Sequence, residues 1–245
     1  MDEVVFVGTS DAFGAGGRRQ SAVLLRGPRG ALLMDCGATT NTGLSQLEID
    51  RGEIETILVS HFHGDHFGGI PHFLMAAVYT DRRTEPLTVA GPPGIESRVR
   101  ALTTAMGHDL ESITFPFPLS FQEVQAGSDQ EIGPARAAAF ETQHQIEAHP
   151  HGYRIDLGGA QITYSGDTGW FDALPAKIAG SDLFVCECTL FDYRLDFHLS
   201  LEEISEHRPE MDIGRLILTH LGEDMSQRRS EIEFETADDG LTVSL

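Results

Sequence analysis

Seven consecutive residues, Ser60-His61-Phe62-His63-Gly64-Asp65-His66, carry three imidazoles and a carboxylate. They follow the apolar run Ile57-Leu58-Val59, which reads as a buried strand over Thr56–Ser60. In an extended segment residues i and i+2 point the same way, so His61 and His63 project to one side. Gly64 permits a tight turn, after which Asp65 and His66 return from a new direction. Four groups with lone pairs then converge at one strand end. The chemistry this suits is binding of a divalent cation. Zinc takes imidazole and carboxylate ligands, and a catalytic site leaves one position open for water. A solvated histidine-rich loop is the plainer reading, but it does not account for the metal-competent groups that follow.

Those groups are His144 in Thr142-Gln143-His144, Asp167 in Tyr164-Ser165-Gly166-Asp167-Thr168, and His220 in Ile217-Leu218-Thr219-His220. Each sits where a strand is expected to end, and polar groups at strand ends can face a common cleft. His72, His108 and His207 lack this context and read as core or surface histidines.

Short apolar runs must position these residues. Strands are expected over 4–7, 22–25, 31–34, 56–60, 87–90, 153–157, 161–165, 183–186 and 216–219. Helical patterns cover 44–50, 68–79, 93–106, 171–178 and 201–206. Strands grouped with helices and short connections predict an α/β sandwich with helices covering sheets. No linker rich in Pro, Gly or Ser divides the chain, so one domain is expected over 1–245. Pro116 and Pro118 mark a mid-chain loop, after which no strand pairing is assigned.

Composition bounds the rest. Hydrophobic residues make up 40% and charged residues 22%, which excludes a disordered, collagenous or coiled-coil chain. No apolar run approaches the ~18 residues of a membrane span. The start, Met1-Asp2-Glu3 before Val4–Val7, has no basic region, so no secretory leader is expected. The three cysteines, Cys36, Cys186 and Cys188, fit neither a disulfide framework nor a four-cysteine zinc site. They read as buried strand thiols of a cytoplasmic protein. Seventeen basic against 38 acidic residues leave a net charge of −21. That disfavours broad nucleic-acid binding, which depends on Lys and Arg meeting phosphates. A bound metal pair would still make a local positive pocket. Asp11-Ala12-Phe13-Gly14-Ala15-Gly16-Gly17-Arg18-Arg19 is neither a dinucleotide fingerprint nor a P-loop. It is a flexible turn, or a substrate loop whose N–H groups and Arg18 or Arg19 meet an anion.

In order along the chain, H-x-H-x-D-H, a lone His, Gly-Asp-Thr and a late Thr-His resemble the metallo-β-lactamase superfamily, from Phe6 to His220. The resemblance implies a four-layer αββα sandwich with two divalent metal ions at one edge of the paired sheets. His61, His63 and His144 would hold one ion, and Asp65, His66 and His220 the other. Asp167 would bridge them, and Asp65 and Asp167 would orient metals and water for catalysis. Zinc is the expected ion, and manganese or iron suits the same ligands. His149 and His151 compete with His144 for one place; His144 is preferred and His149 is the runner-up.

Further residues resemble ribonuclease Z and related phosphodiesterases. They are Phe6-Val7-Gly8-Thr9-Ser10 with Ala22-Val23-Leu24-Leu25, then Gly152-Tyr153-Arg154-Ile155, and His198, which lies 22 residues before His220. In that group a His so placed acts as general acid or steadies a phosphate oxygen. Its other reading is the start of a helix capped by Ser200. Ribonuclease Z carries a basic tRNA-gripping arm between the Gly-Tyr-Arg-Ile strand and the Gly-Asp-Thr turn. Here ten residues without Lys or Arg separate Ile155 from Gly166, which speaks against tRNA. The resemblance therefore implies an enzyme that hydrolyses a small or cyclic phosphodiester through a metal-bridging hydroxide. Its substrate would be a small anionic molecule and its assembly a homodimer. A lactone, thioester or β-lactam hydrolase on the same dinuclear site is the alternative. A redox diiron protein of this fold would need Glu in place of His63.

Overall fold

In β1 (Glu3–Gly8) every residue from Val4 to Val7 is buried, which an alternating strand allows only when both its faces are covered. The computed structural model, which describes residues 2–245, shows what covers them. Val4 and Phe6 face a second sheet, while Val5 and Val7 face helices.

The first sheet adds β2 (Ala22–Gly27), β3 (Gly30–Met34), β4 (Ile54–Leu58), β5 (Leu87–Gly91), β6 (Leu119–Glu123) and β13 (Thr242–Ser244), in the order β13-β1-β2-β3-β4-β5-β6. The second holds β7 (Asp129–Ile132), β8 (Ala135–Glu141), β9 (His151–Leu157), β10 (Ala160–Tyr164), β11 (Ser181–Glu187) and β12 (Ile213–Thr219), in the order β12-β11-β10-β9-β8-β7. Leu25, Leu32 and Leu58 of one sheet pack with Tyr153, Ile155 and Val185 of the other. Outside the first sheet lie α1 (Thr40–Gln46), α3 (Ile70–Tyr79) and α4 (Ile95–Ala105), bringing Leu44, Phe73 and Val99 onto Leu24, Leu33 and Ile57. Outside the second lie α5 (Leu174–Ile178), α6 (Leu201–His207) and α7 (Glu223–Gln227), bringing Leu174, Ile204 and Met225 onto Phe184 and Leu218. Each such aliphatic or aromatic side chain contributes about 1.5–3 kcal/mol by leaving water. The result is the four-layer αββα sandwich.

Topology then positions the site. β3 and β4 are parallel, as are β10, β11 and β12. Parallel neighbours end at the same edge of a sheet, and ligands bind outside the carboxyl ends of such strands. Asp35, Ser60, Asp167, Glu187 and His220 all lie at or within three residues of those ends.

Some elements differ from the sequence reading. The helix expected over 44–50 runs from Thr40 to Gln46 and is closed by Glu48 in the left-handed region at φ 55°. β6, β7 and β8 fill the mid-chain stretch that carried no strand assignment. β6 and β7 are half-exposed, and β8 contains four alanines, whose weak strand preference masked it. The three thiols are free and buried, but Cys36 and Cys188 lie just beyond strand ends and only Cys186 lies within a strand. β9 and β10 are joined by Gly158 and Gly159 alone, at φ 70° and 108°. Among the described residues no helix is long and apolar enough to cross a membrane.

Candidate metal centre

Two groups of side chains meet at this edge and share one carboxylate. In the first, His63 Nδ1 lies 3.1 Å from His61 Nε2 and 3.0 Å from His144 Nε2. Asp167 Oδ2 is 3.7 Å from His61 Nε2 and 4.0 Å from His144 Nε2. In the second, His66 Nε2 is 3.2 Å from Asp65 Oδ2 and 3.3 Å from Asp167 Oδ1. His220 Nε2 is 3.4 Å from Asp65 Oδ2 and 3.5 Å from Asp167 Oδ2. All seven residues expected from the sequence are brought together.

Local backbone rules explain the convergence. His63 is extended, and a one-turn helix, α2 (Gly64–Phe67), starts directly after it. Asp65 and His66 therefore return on a helical turn, and Gly64 itself is not in the left-handed region. The glycine that close packing demands is Gly37, where a Cβ would overlap the Asp65 carbonyl. Beside it Cys36 N–H donates to the His66 carbonyl at 2.7 Å. Gly166 turns the chain after β10 at φ 58°, and a Cβ there would crowd the His151 carbonyl.

These residues fit bound cations. The outward nitrogen of four rings is engaged: His66 Nδ1 with Asp35 Oδ2 at 2.7 Å, His144 Nδ1 with the Phe197 carbonyl at 2.7 Å, His220 Nδ1 with Thr189 Oγ1 at 2.8 Å and His61 Nδ1 with Ser60 Oγ at 3.0 Å. Such outer partners fix the tautomer and aim the inner nitrogen, as around metal-bound imidazoles. His66 Nε2 and Asp167 Oδ1 are buried and, although 3.3 Å apart, neither is aligned for a hydrogen bond with the other or with any other group. Buried polar atoms are rarely left so, and a cation would supply the missing partner. Electrostatics agree. Burial opposes charge on Asp167, yet His220 and His66 hold its carboxyl far below the usual carboxylate range. Burial likewise lowers His61 and His144. Burial is outweighed at His220, which Asp167 and a hydrogen bond to Asp65 push up to about 9. A proton or a cation neutralises this cluster, so the two compete for it.

A third group adjoins. The buried Glu187 carboxylate accepts from Thr168 N–H at 3.0 Å, Thr189 N–H at 3.1 Å and Thr189 Oγ1–H at 2.9 Å. It also meets His198 Nδ1 at 2.8 Å, and His198 Nδ1 lies 4.0 Å from Asp167 Oδ2. Against the desolvation of its burial, Glu187 raises the pKa of His198, as does Asp167. Ser200 caps α6 in a reciprocal box with Glu203, so capping falls to Ser200 and leaves His198 to the cluster.

The cluster floors a cavity of about 640 Å³. His149 and His151 line a neighbouring cavity of about 460 Å³ and stand outside both ligand groups. His72 and His108 are exposed, and His207 stacks on Trp170 at 3.8 Å. The substrate-loop reading of Arg18 and Arg19 is corrected. Arg18 pairs with Asp238 at 2.7 Å, and Arg19 with Asp239 at 3.5 Å and the Val7 carbonyl. Only Asp11, Ala12 and Phe13 of that stretch reach the 640 Å³ cavity.

Asp35 and Glu187 escaped the sequence reading, although each ends an apolar strand as Asp167 and His220 do. Asp35 Oδ1 accepts from Ser60 N–H at 2.7 Å, and Oδ2 accepts from Ser60 Oγ and Tyr164 OH, both at 2.8 Å, besides meeting His66. Asp35→Asn should weaken metal binding about 10–100-fold, the usual cost of losing an outer-shell carboxylate, as read by competition with a chelator.

Comparison with known proteins places this geometry. Residues 3–237 match the family described as anti-Pycsar protein Apyc1. Ribonuclease Z of Mycobacterium bovis is 26% identical over 240 residues, covering 90% of this chain and 86% of that protein. The short form of human tRNase Z is 26% identical, with a TM-score of 0.77 over 100% of this chain and 99% of its own. The metallo-β-lactamase fold protein YhfI of Bacillus subtilis superposes at a TM-score of 0.79, with 21% identity and 100% of both chains covered. The chain is a metal-dependent hydrolase and belongs to the anti-Pycsar protein Apyc1 family, within the ribonuclease Z-like branch of the metallo-β-lactamase superfamily.

Proposed function

We propose that the enzyme hydrolyses a small or cyclic phosphodiester. The observation that carries this is the shared Asp167 between two ligand groups, with His198, held from behind by the buried Glu187, beside them in one cavity. His61, His63 and His144 would hold one divalent ion, Asp65, His66 and His220 a second, and Asp167 both. Bound there, such ions, zinc by the ligand set, would supply Lewis acidity and an ionised water near neutral pH. Asp65 and Asp167 orient that chemistry from the floor. His198, kept protonated by Glu187, delivers a proton to the leaving alkoxide.

The cavity's size suits a small molecule, since ligand pockets span about 300–1,000 Å³. The net charge of −21 and the two-glycine turn between β9 and β10 support a small substrate over tRNA. Three free, buried thiols support a reducing, cytoplasmic setting.

Metal content and rates on bis-p-nitrophenyl phosphate, a cyclic phosphodiester, a lactone and a thioester test the proposal. Two ions per chain and diester turnover at least about a hundredfold above the acyl substrates are expected, a gap of about 2.7 kcal/mol in barrier. Lactone or thioester turnover without diester cleavage would overturn it.

A further inference from the structure

We infer that Glu223 and Asp224 act as a charge filter at the mouth of the site, disfavouring any ligand that carries a second anionic group beyond its phosphoryl head. The inference deepens the diesterase reading and, for the substrate, rests on it. Both residues open α7, both are exposed, and both line the 640 Å³ cavity. Glu223 Oε1 accepts from Gln227 Nε2 at 2.7 Å and its Oε2 from Gly16 N–H at 3.4 Å, contacts that leave its charge uncancelled. Neither carboxylate has an ion-pair partner among the described residues. The buried Asp11 also lines this cavity, its Oδ1 accepting from Ser10 Oγ, Phe13 N–H and Ala15 N–H without a cationic partner among the described residues.

No Lys or Arg lines this cavity. The arginines nearest to its mouth along the chain are consumed elsewhere. Arg194, between the lining residues Tyr193 and Leu195, pairs with Glu206 at 2.7 Å and Glu202 at 3.6 Å. Arg18 and Arg229 pair with Asp238, Arg19 pairs with Asp239, and Arg228 pairs with Asp192 and Glu231. Positive potential is therefore confined to the floor, where imidazoles and any bound cations lie. The phosphoryl charge is satisfied there, while a further anion would sit against uncompensated carboxylates. Phe13, 94% exposed, and Tyr193, 49% exposed, offer apolar surface at the same mouth to an uncharged remainder. Two like charges a cavity's width away act through water, so the discrimination is modest, about five-fold at low salt, and falls as salt shortens the screening length.

The test is calorimetric binding of phenylphosphonate and 4-carboxyphenylphosphonate to the metal-loaded enzyme at low and high salt. The wild type should bind the carboxylated ligand about five-fold more weakly at low salt. Glu223→Gln with Asp224→Asn should bring that ratio close to one, and each single change should move it part of the way. Glu96→Gln, which removes one charge from α4 in the opposite outer layer, should leave the ratio in place. A ratio unmoved by the double and single variants, or moved equally by Glu96→Gln, overturns the filter. Binding is read independently of turnover. A shifted ratio without diester cleavage would sink only the diesterase reading, and diester cleavage with an unmoved ratio would sink only the filter.

Discussion

Asp167→Ala is expected to strip both cations from the centre and to abolish hydrolysis. Its carboxylate is the one group common to both ligand sets, with Oδ1 3.3 Å from His66 Nε2 and Oδ2 3.5 Å from His220 Nε2 and 3.7 Å from His61 Nε2. Removing it leaves the first set with three imidazoles and no negative charge. The second set keeps His66 and His220 with Asp65 as its one carboxylate. Losing an outer-shell partner already costs about 10–100-fold in metal affinity, so loss of a shared ligand should cost more at each position. Metal content after gel filtration, read by elemental analysis, is the direct measurement. His72→Ala is the matched control, because His72 is exposed on α3 away from the cluster. Retention of two ions by Asp167→Ala would show that the two ligand sets do not hold cations in the way proposed.

Much of this site is legible in the sequence because its ligands obey simple spacing. His61 and His63 differ by two positions on an extended segment, and the structure places their ring nitrogens 3.1 Å apart. Asp167 and His220 were visible as polar residues closing apolar runs. Asp35 and Glu187 close apolar runs too, but nothing local says that their partners are a histidine 31 residues on and another 11 residues on. Those pairings depend on which strands lie side by side, and the parallel order of β3 with β4 and of β10, β11 and β12 is set by tertiary packing. The same limit applies to Arg18 and Arg19. Their residue types suit an anionic ligand, yet Asp238 and Asp239, more than two hundred residues away in sequence, hold them. That helices cover sheets is legible in the residues, since Val4–Val7 and Ile57–Val59 are continuously apolar, whereas the four-layer αββα order is implied only by the family resemblance. β8 was not legible, because alanines carry neither a strand preference nor a clear period.

His198→Ala should keep both metal ions and lose turnover, by about 10²–10⁴-fold in kcat, the usual contribution of a positioned general acid. The contrast with Asp167→Ala follows from geometry. His198 belongs to the Glu187–His198–His220 group beside the centre, not to the two sets that share Asp167. A proton donor matters most when the leaving group is a poor one. The loss should therefore be large for alkyl diesters and much smaller for p-nitrophenyl esters, whose phenolate leaves without protonation. Glu187→Gln separates the donor from the residue that positions it. Glu187 is the largest influence raising the His198 pKa, working against the desolvation of burial. A general acid must hold its proton, so in the wild type activity persists to a pH above the ordinary histidine pKa and falls as His198 deprotonates. With Glu187 neutral, burial still lowers the His198 pKa and the main opposing influence is gone. The alkaline limb of kcat should then move to lower pH, with a greater loss at pH 8 than at pH 6. A merely structural role for Glu187 would lower kcat evenly across that range. An alkaline limb that stays in place in Glu187→Gln, or full alkyl-diester turnover by His198→Ala, would remove His198 from the proton-transfer step.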